Sequence, residues 1–292
     1  MNSHFRGLQS CPVALAWAAM RSSLLALPLI ALVVSCGNVP TRAVTLRFSG
    51  RVGDAPFACG GTFAGVGTTG TTFTGLDFRL YVHDVALLTA DGRVVPLALS
   101  GDGVWQALGV ALLDFEAGAG CEEGNAPTNV LVRGTVPDDG ATYAGVRFRL
   151  GVPAALDHLD ADNQPSPLNV TSMFWGWNDG YKYFRVDGRT TGQPGGIRFH
   201  LGATACTGDP RAGPRVCATE NPPEIRLDGL DVEHDTIVVD VAGLFAASDL
   251  DHDAGGAAGC MSDPDDPDCA SMLAAVGLGG AQSTFRVEHG GI

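Results

Sequence analysis

Apolar and polar residues alternate with a period of two in four stretches of the chain. Val44, Leu46 and Phe48 are interleaved with Thr45, Arg47 and Ser49, and Phe78, Leu80 and Val82 with Asp77, Arg79, Tyr81 and His83. Further on, Val146, Phe148 and Leu150 alternate with Arg147 and Arg149, and Ile197, Phe199 and Leu201 with Arg198 and His200. Successive side chains of a strand point to opposite faces, so this period marks half-buried β-strands with one apolar side. Asp91-Gly92, after the second stretch, has hairpin-turn chemistry. Helical pattern is confined to residues 271–276, ahead of a final strand at 284–288. Short strands separated by turn-rich loops predict an all-β fold of antiparallel sheets, packed as a sandwich or barrel-like domain. The 40 Gly and 17 Pro are spread without the fixed period of a repeat protein.

The N-terminus reads differently. Arg6 and Arg21 precede an apolar run over residues 24–34 and the small residue Ser35, which is signal-peptide architecture. The run is about half of the ~20 residues a bilayer-spanning helix needs, so no transmembrane segment is expected in the mature chain. Val33-Val34-Ser35-Cys36 resembles a bacterial lipobox, in which Cys36 becomes the lipid-carrying first residue; the alternative is an ordinary cleavable signal with Cys36 incidental. The expected organisation is a signal at 1–35, a tether at 36–43 and a single domain over 44–292.

Removing residues 1–35 takes away two arginines and no acid, so the net charge falls from -14 to -16. Such a domain repels phosphate and excludes nucleic acid as a partner. Cations, neutral molecules and basic protein surfaces remain, unless the acidity serves solubility alone. Cys59, Cys121, Cys206, Cys217, Cys260 and Cys269 make an even set in an exported chain and predict disulfide-stapled loops. Spacing suggests Cys206 with Cys217, Cys260 with Cys269, and by elimination Cys59 with Cys121, although the count alone leaves the pairing open. No Cys-x-x-Cys is present, which speaks against a zinc ribbon or a thioredoxin-like site.

Candidate chemistry lies in three places. His83 and His200 fall on the polar faces of their strands and would meet if the strands were neighbours, since facing side chains lie ~5 Å apart. Imidazole is the commonest metal ligand; the alternative is a pair of solvated surface histidines. The stretch 173–184 holds Trp175 and Trp177, two of the three mature-chain tryptophans, and Lys182, its only lysine. In an extended chain both indoles face one way, as a ligand platform, a redox relay or packed core. Asp249, Asp251 and Asp253 alternate as in a calcium loop. Ala254 stands where an EF-hand needs Gly and the closing Glu is missing, so an acidic solvated loop is preferred, with adventitious calcium the alternative. Hydrolase, kinase and cytochrome motifs are absent, which leaves the chain without an enzyme signature.

The order of these features resembles the MbnP-like proteins of the metallo-mystery pair system, named for a multi-cysteine motif and a Trp-x-Trp motif. The matching elements are Leu76-Asp77-Phe78-Arg79-Leu80-Tyr81-Val82-His83-Asp84, then Gly151-Val152-Pro153 leading to His158. Pro167-Leu168-Asn169 then runs into Met173-Phe174-Trp175-Gly176-Trp177 and Gly180-Tyr181-Lys182. Phe199-His200-Leu201-Gly202 with Cys206, and Gly259-Cys260-Met261-Ser262 with Cys269, complete the series. The resemblance implies a copper-binding protein, not an enzyme, of the periplasm or outer membrane surface, lipid-anchored through Cys36. It further implies a partner, a dihaem protein like cytochrome c peroxidase, that oxidises a tryptophan to kynurenine to complete the copper site. Carried over by position, His83, His158 and His200 are the metal ligands and Trp175 or Trp177 the residue oxidised. The family pattern has Asn before the middle histidine, where this chain has Asp157. Two other readings use the same residues: a carbohydrate- or protein-binding surface lipoprotein with Trp175 and Trp177 as stacking platform, and a structural lipoprotein with calcium loops.

Overall fold

The computed structural model describes residues 39–122, 127–176, 179–208 and 215–290; the proposed signal segment, Cys36 and Trp177 lie outside the described residues. The strands that carry the architecture are, in the first half, β1 (Thr41–Val52), β2 (Thr71–Thr89), β3 (Val110–Asp114), β4 (Leu131–Pro137) and β5 (Tyr143–Leu150). The second half adds β6 (Phe184–Thr190), β7 (Ile197–Leu201), β8 (Thr204–Thr207), β9 (Val216–Thr219), β10 (Glu224–Asp228), β11 (Thr236–Asp240), β12 (Gly259–Cys260) and β13 (Phe285–Glu288). One sheet runs β13-β11-β1-β4; the other runs β10-β5-β2-β6-β7-β12, with β3 also paired to β2. Among the described residues the pairing is antiparallel except for β1 with β11 and β7 with β12, which run parallel.

The four alternating stretches are β1, β2, β5 and β7, and their apolar sides are the inner faces of a sandwich. Phe48 of the first sheet meets Phe148 of the second at 5.8 Å between ring centres, and Phe285 of the first meets Phe148 and Phe184 at 5.6 and 6.4 Å. β1 starts at Thr41 and pairs with β4 from there, so the last residues assigned to a tether are already strand. A short helix, Cys269–Ala275, and β13 stand where the pattern puts a helix and a final strand. The bridges are Cys59–Cys121, Cys206–Cys217 and Cys260–Cys269, as spacing suggests.

The outer face of β2 departs from the half-buried expectation. Asp77, Arg79, Tyr81 and His83 are 0%, 4%, 0% and 4% exposed. The cause is the long excursion between β5 and β6, which lies across that face. Tyr81 Oη donates to the Pro167 carbonyl (2.8 Å), Tyr181 Oη to that of Leu168 (2.7 Å), and Arg79 Nη1 to Ser172 Oγ (3.0 Å). A polar side that alternation marks as solvated becomes a buried polar layer between sheet and cover.

The aspartates at 249–253 accept backbone amides, two of them within local turns and one from a distant loop. Asp249 Oδ1 accepts the amides of Asp251 and His252, Asp251 Oδ1 that of Gly192, and Asp253 Oδ1 that of Gly255. No trio of ligating side chains gathers there among the described residues. The acidic-loop reading accounts for them better than calcium.

Because Phe148 bridges the two sheets, Phe148→Ala is expected to cost ~3–5 kcal/mol. The check is a lower urea midpoint with an unchanged m-value; a loss below about 1 kcal/mol would show that the sheets are not held together there.

Candidate metal centre

On the covered face, charged side chains from three adjacent strands form one connected network. Arg79 grips the Asp77 carboxylate with Nε (3.0 Å) and Nη2, and Arg185 Nη1 reaches the same carboxylate at 2.9 Å. Arg185 also holds Asp187 through Nε (2.8 Å) and Nη2 (2.6 Å). Asp187 Oδ1 then accepts from His200 Nε2 at 2.6 Å. Register explains the order, because Arg79, Arg185 and His200 stand opposite one another on β2, β6 and β7. Buried charges survive only when paired and hydrogen-bonded, and here each carboxylate faces at least one guanidinium or imidazole.

This network decides which nitrogen of His200 is available. Burial drives the His200 imidazole below its ordinary range despite Asp187, so the ring is neutral. Burial opposes ionisation of Asp187, but the hydrogen bond and charge of His200 and the Arg185 guanidinium outweigh it and hold that carboxyl low. A neutral ring donating Nε2–H to a carboxylate leaves Nδ1 as its lone-pair nitrogen. Nδ1 is buried and has no hydrogen-bond partner.

The same network positions Trp175. Arg79 Nη1 donates to Ser172 Oγ, while Arg185 Nη1 (3.2 Å) and Lys182 Nζ (2.7 Å) donate to the Ser172 carbonyl, pinning the chain just before the tryptophan. The Trp175 ring centre lies 6.1 Å from that of His200. It rests on Gly202, where a Cβ would come within 2.4 Å of the indole, so a side chain there would displace the ring.

Trp175 and Met261 line one cavity of about 690 Å³, with Ala203, Thr204 and an acidic margin at Asp179, Asp263 and Asp265. Met261 follows β12, whose Cys260 pairs with Phe199. Ser262 locks this segment to β7. In a left-handed conformation (φ 64°), its hydroxyl donates to the His200 carbonyl (2.9 Å) and accepts the Gly202 amide (2.9 Å). The Cys260–Cys269 bridge ties the same segment to the helix. The indole of Trp175 thus has the His200 imidazole beside it and the Met261 thioether in its cavity, from three distant parts of the chain.

The other histidines lie elsewhere. β6 stands between β2 and β7, and His83 is four residues beyond the rung shared by Arg79 and His200. That separates their backbones by roughly 13 Å along the strands and ~10 Å across them. The expected meeting of His83 and His200 across neighbouring strands does not occur. His83 is buried, not solvated, and lines a separate cavity with Asp84, Arg149, Tyr183 and Glu220. Its Nδ1 lies 3.4 Å from Asp84 Oδ2, and its Nε2 has no hydrogen-bond partner. His158 Nε2 lies 3.2 Å from Cys217 Sγ and 3.6 Å from Asp157 Oδ2. Asp157 accepts the Tyr181 amide (2.8 Å) and the Tyr183 hydroxyl (2.7 Å), and burial pushes its carboxyl up to about 6. No cluster of ligating atoms within 4.8 Å of one another holds two of these three histidines among the described residues.

Sequence reasoning missed Met261 and Asp187. Met261 carried a signal, a soft thioether beside a stapled cysteine. Asp187 was legible only through the strand register that sets it opposite Asp77.

The fold is a disulfide-stapled β-sandwich in which a thioether and an indole line one cavity and an imidazole stands beside the indole. The MbnP family model matches residues 41–262, and the chain belongs to the MbnP family. Its structure is similar to that of MbnP from Methylosinus trichosporium, with 29% identity and a TM-score of 0.76, covering 86% of this chain and 99% of that one. No curated protein sequence matches.

The network also stores a proton. Burial, then the charge of Asp77, pushes the Glu116 carboxyl up to about 8, so its 3.3 Å approach to Arg79 is not an ion pair at neutral pH. A carboxyl with a raised folded pKa keeps a proton that the unfolded chain releases, so stability falls as pH rises from 4.5 towards about 8. Glu116→Gln, which mimics the protonated acid, should match the wild type near pH 4.5 and exceed it by roughly 1–3 kcal/mol near pH 8. Thermal unfolding of both proteins across that range checks this; parallel curves would mean that Glu116 is ionised throughout.

Proposed function

We propose that this protein binds copper with His200 Nδ1 and Met261 Sδ beside Trp175, and that a dihaem partner oxidises Trp175 to kynurenine to complete the site. It acts by holding metal, not by turnover, outside the inner membrane and anchored through Cys36. The observation that carries the reading is the buried, unpartnered Nδ1 of His200 next to the Trp175 ring that shares its cavity with Met261.

The donor set fits copper. Neutral imidazole suits either oxidation state, and a thioether favours the soft Cu(I) ion. Intact indole has no available lone pair, whereas kynurenine offers a carbonyl and an aniline nitrogen, so oxidation turns a packing residue into a donor. The remaining residues prepare the place: Asp187 fixes the His200 tautomer, Gly202 makes room for the ring, and Ser262 holds the Met261 segment against β7. Trp175 is half-buried against Gly202 and His200, which supports a role inside a site over an exposed stacking platform.

The test is the mature protein purified from its native host, with metal analysis and peptide mapping over residues 173–184. The expected result is stoichiometric copper and kynurenine at Trp175. His200→Ala and Met261→Ala should lose copper, and Asp187→Asn should weaken it by roughly 10–100-fold. His83→Ala and His158→Ala should retain it in the native site. Unmodified Trp175 with no copper, or copper lost with His83 and kept without Met261, would overturn the reading.

A further inference from the structure

The Cys206–Cys217 bridge differs from the other two. It joins β8 to β9 at directly opposed positions, in a two-stranded ribbon separate from both large sheets. It spans 11 residues, against 9 for Cys260–Cys269 and 62 for Cys59–Cys121. Both its cysteines are partly exposed, whereas Cys260 and Cys269 are wholly buried and, of the remaining pair, Cys121 is partly exposed and Cys59 buried. An external thiol therefore meets two partly exposed cysteines here, against one at Cys59–Cys121 and none at Cys260–Cys269, and the ribbon cysteines pack at the edge of the core and not within it.

Its sulfurs already sit where a metal could be held. His158 Nε2 and the two Sγ atoms all lie within 4.8 Å of one another, the closest approach being 3.2 Å to Cys217 Sγ. The ring does not depend on the ribbon for its place. It follows the turn Ala154–Asp157, and Asp157 is fixed by Tyr181 and Tyr183 of the main scaffold. On the other side, the Arg215 guanidinium reaches the carbonyls of Gly208 and Cys206. A partly exposed cysteine pair beside an arginine and a histidine is the setting that favours thiolate.

We propose that Cys206, Cys217 and His158 form a second, latent soft-metal site, opened by dithiol reduction of the bridge and taking one thiophilic cation of the Cu(I) or Zn(II) type. A thiolate of the dithiol bonds to Cys206 Sγ while the Cys206–Cys217 bond breaks, its electron pair leaving on Cys217 Sγ beside His158. The second thiol of the reagent then displaces Cys206 and closes to a cyclic disulfide. The reagent is oxidised by two electrons and the protein gains two thiols, which give up their protons to the solvent when the metal binds. Two thiolates and one imidazole make a donor set that selects thiophilic ions. In the disulfide form those thiolates do not exist, so the redox state of the ribbon opens and closes the site.

The test treats the purified protein with dithiothreitol, removes the reagent by desalting under nitrogen, and maps free thiols by alkylation. Labelling should fall on Cys206 and Cys217 and spare the other four bridge cysteines. Titration with Cd(II) as probe should then give a thiolate-to-metal charge-transfer band that saturates at one equivalent and is absent from the oxidised protein. His158→Ala should weaken cadmium binding at least tenfold, while His200→Ala and Met261→Ala leave it unchanged, which separates this site from the one beside Trp175. The double variant Cys206→Ser with Cys217→Ser should fold as the wild type does by circular dichroism and lose the band. The proposal is overturned if all bridges are reduced together, if the double variant does not fold, if the reduced ribbon gives no band, or if His158→Ala binds as tightly as the wild type.

Discussion

The chain of buried charges running from Arg79 through Asp77, Arg185 and Asp187 to His200 is the interaction on which the rest of the structure depends. Taking such groups out of water costs several kcal/mol each, so the cover can settle on the outer face of β2 only because Arg79, Arg185, Asp77 and Asp187 each meet an opposite charge there. The same arginines, with Lys182, anchor Ser172 of the cover. Packing the polar face and placing the residues beside Trp175 are therefore one event, not two.

The network's end matters as much as its length. It terminates on Nε2 of His200 and leaves Nδ1 without a partner inside the protein. An unsatisfied buried nitrogen is unfavourable by about 1–3 kcal/mol unless something binds it, and it lies close to an indole that shares its pocket with a thioether. The Cys260–Cys269 bridge and the left-handed Ser262 confine Met261 to that neighbourhood.

Much of the fold was legible because period-two alternation reports which strand face meets the opposing sheet. β1, β2, β5 and β7 were visible for that reason, and cysteine spacing suggested the pairings found. The burial of Asp77, Arg79 and His83 was not legible, since alternation cannot show that a distant excursion covers the polar side. Proximity in the site was equally hidden. His83 and His200 share the outer face, yet strand order places β6 between them, and order is set by connections and not by local pattern. Met261 was visible only as part of a matching motif, and its place became plain once β12 paired in parallel with β7 and it lined the cavity of Trp175. His158 was legible as a candidate ligand only through the family resemblance, and its nearest neighbour is a disulfide.

The most direct test of the central claim is X-ray absorption spectroscopy at the copper edge on the copper-loaded native protein. A shell containing both a nitrogen or oxygen scatterer and a sulfur scatterer at bonding distance, with the sulfur lost in Met261→Ala, is the predicted result. A shell of nitrogen and oxygen alone, unchanged by that substitution, would contradict it and return the copper to a set of histidines.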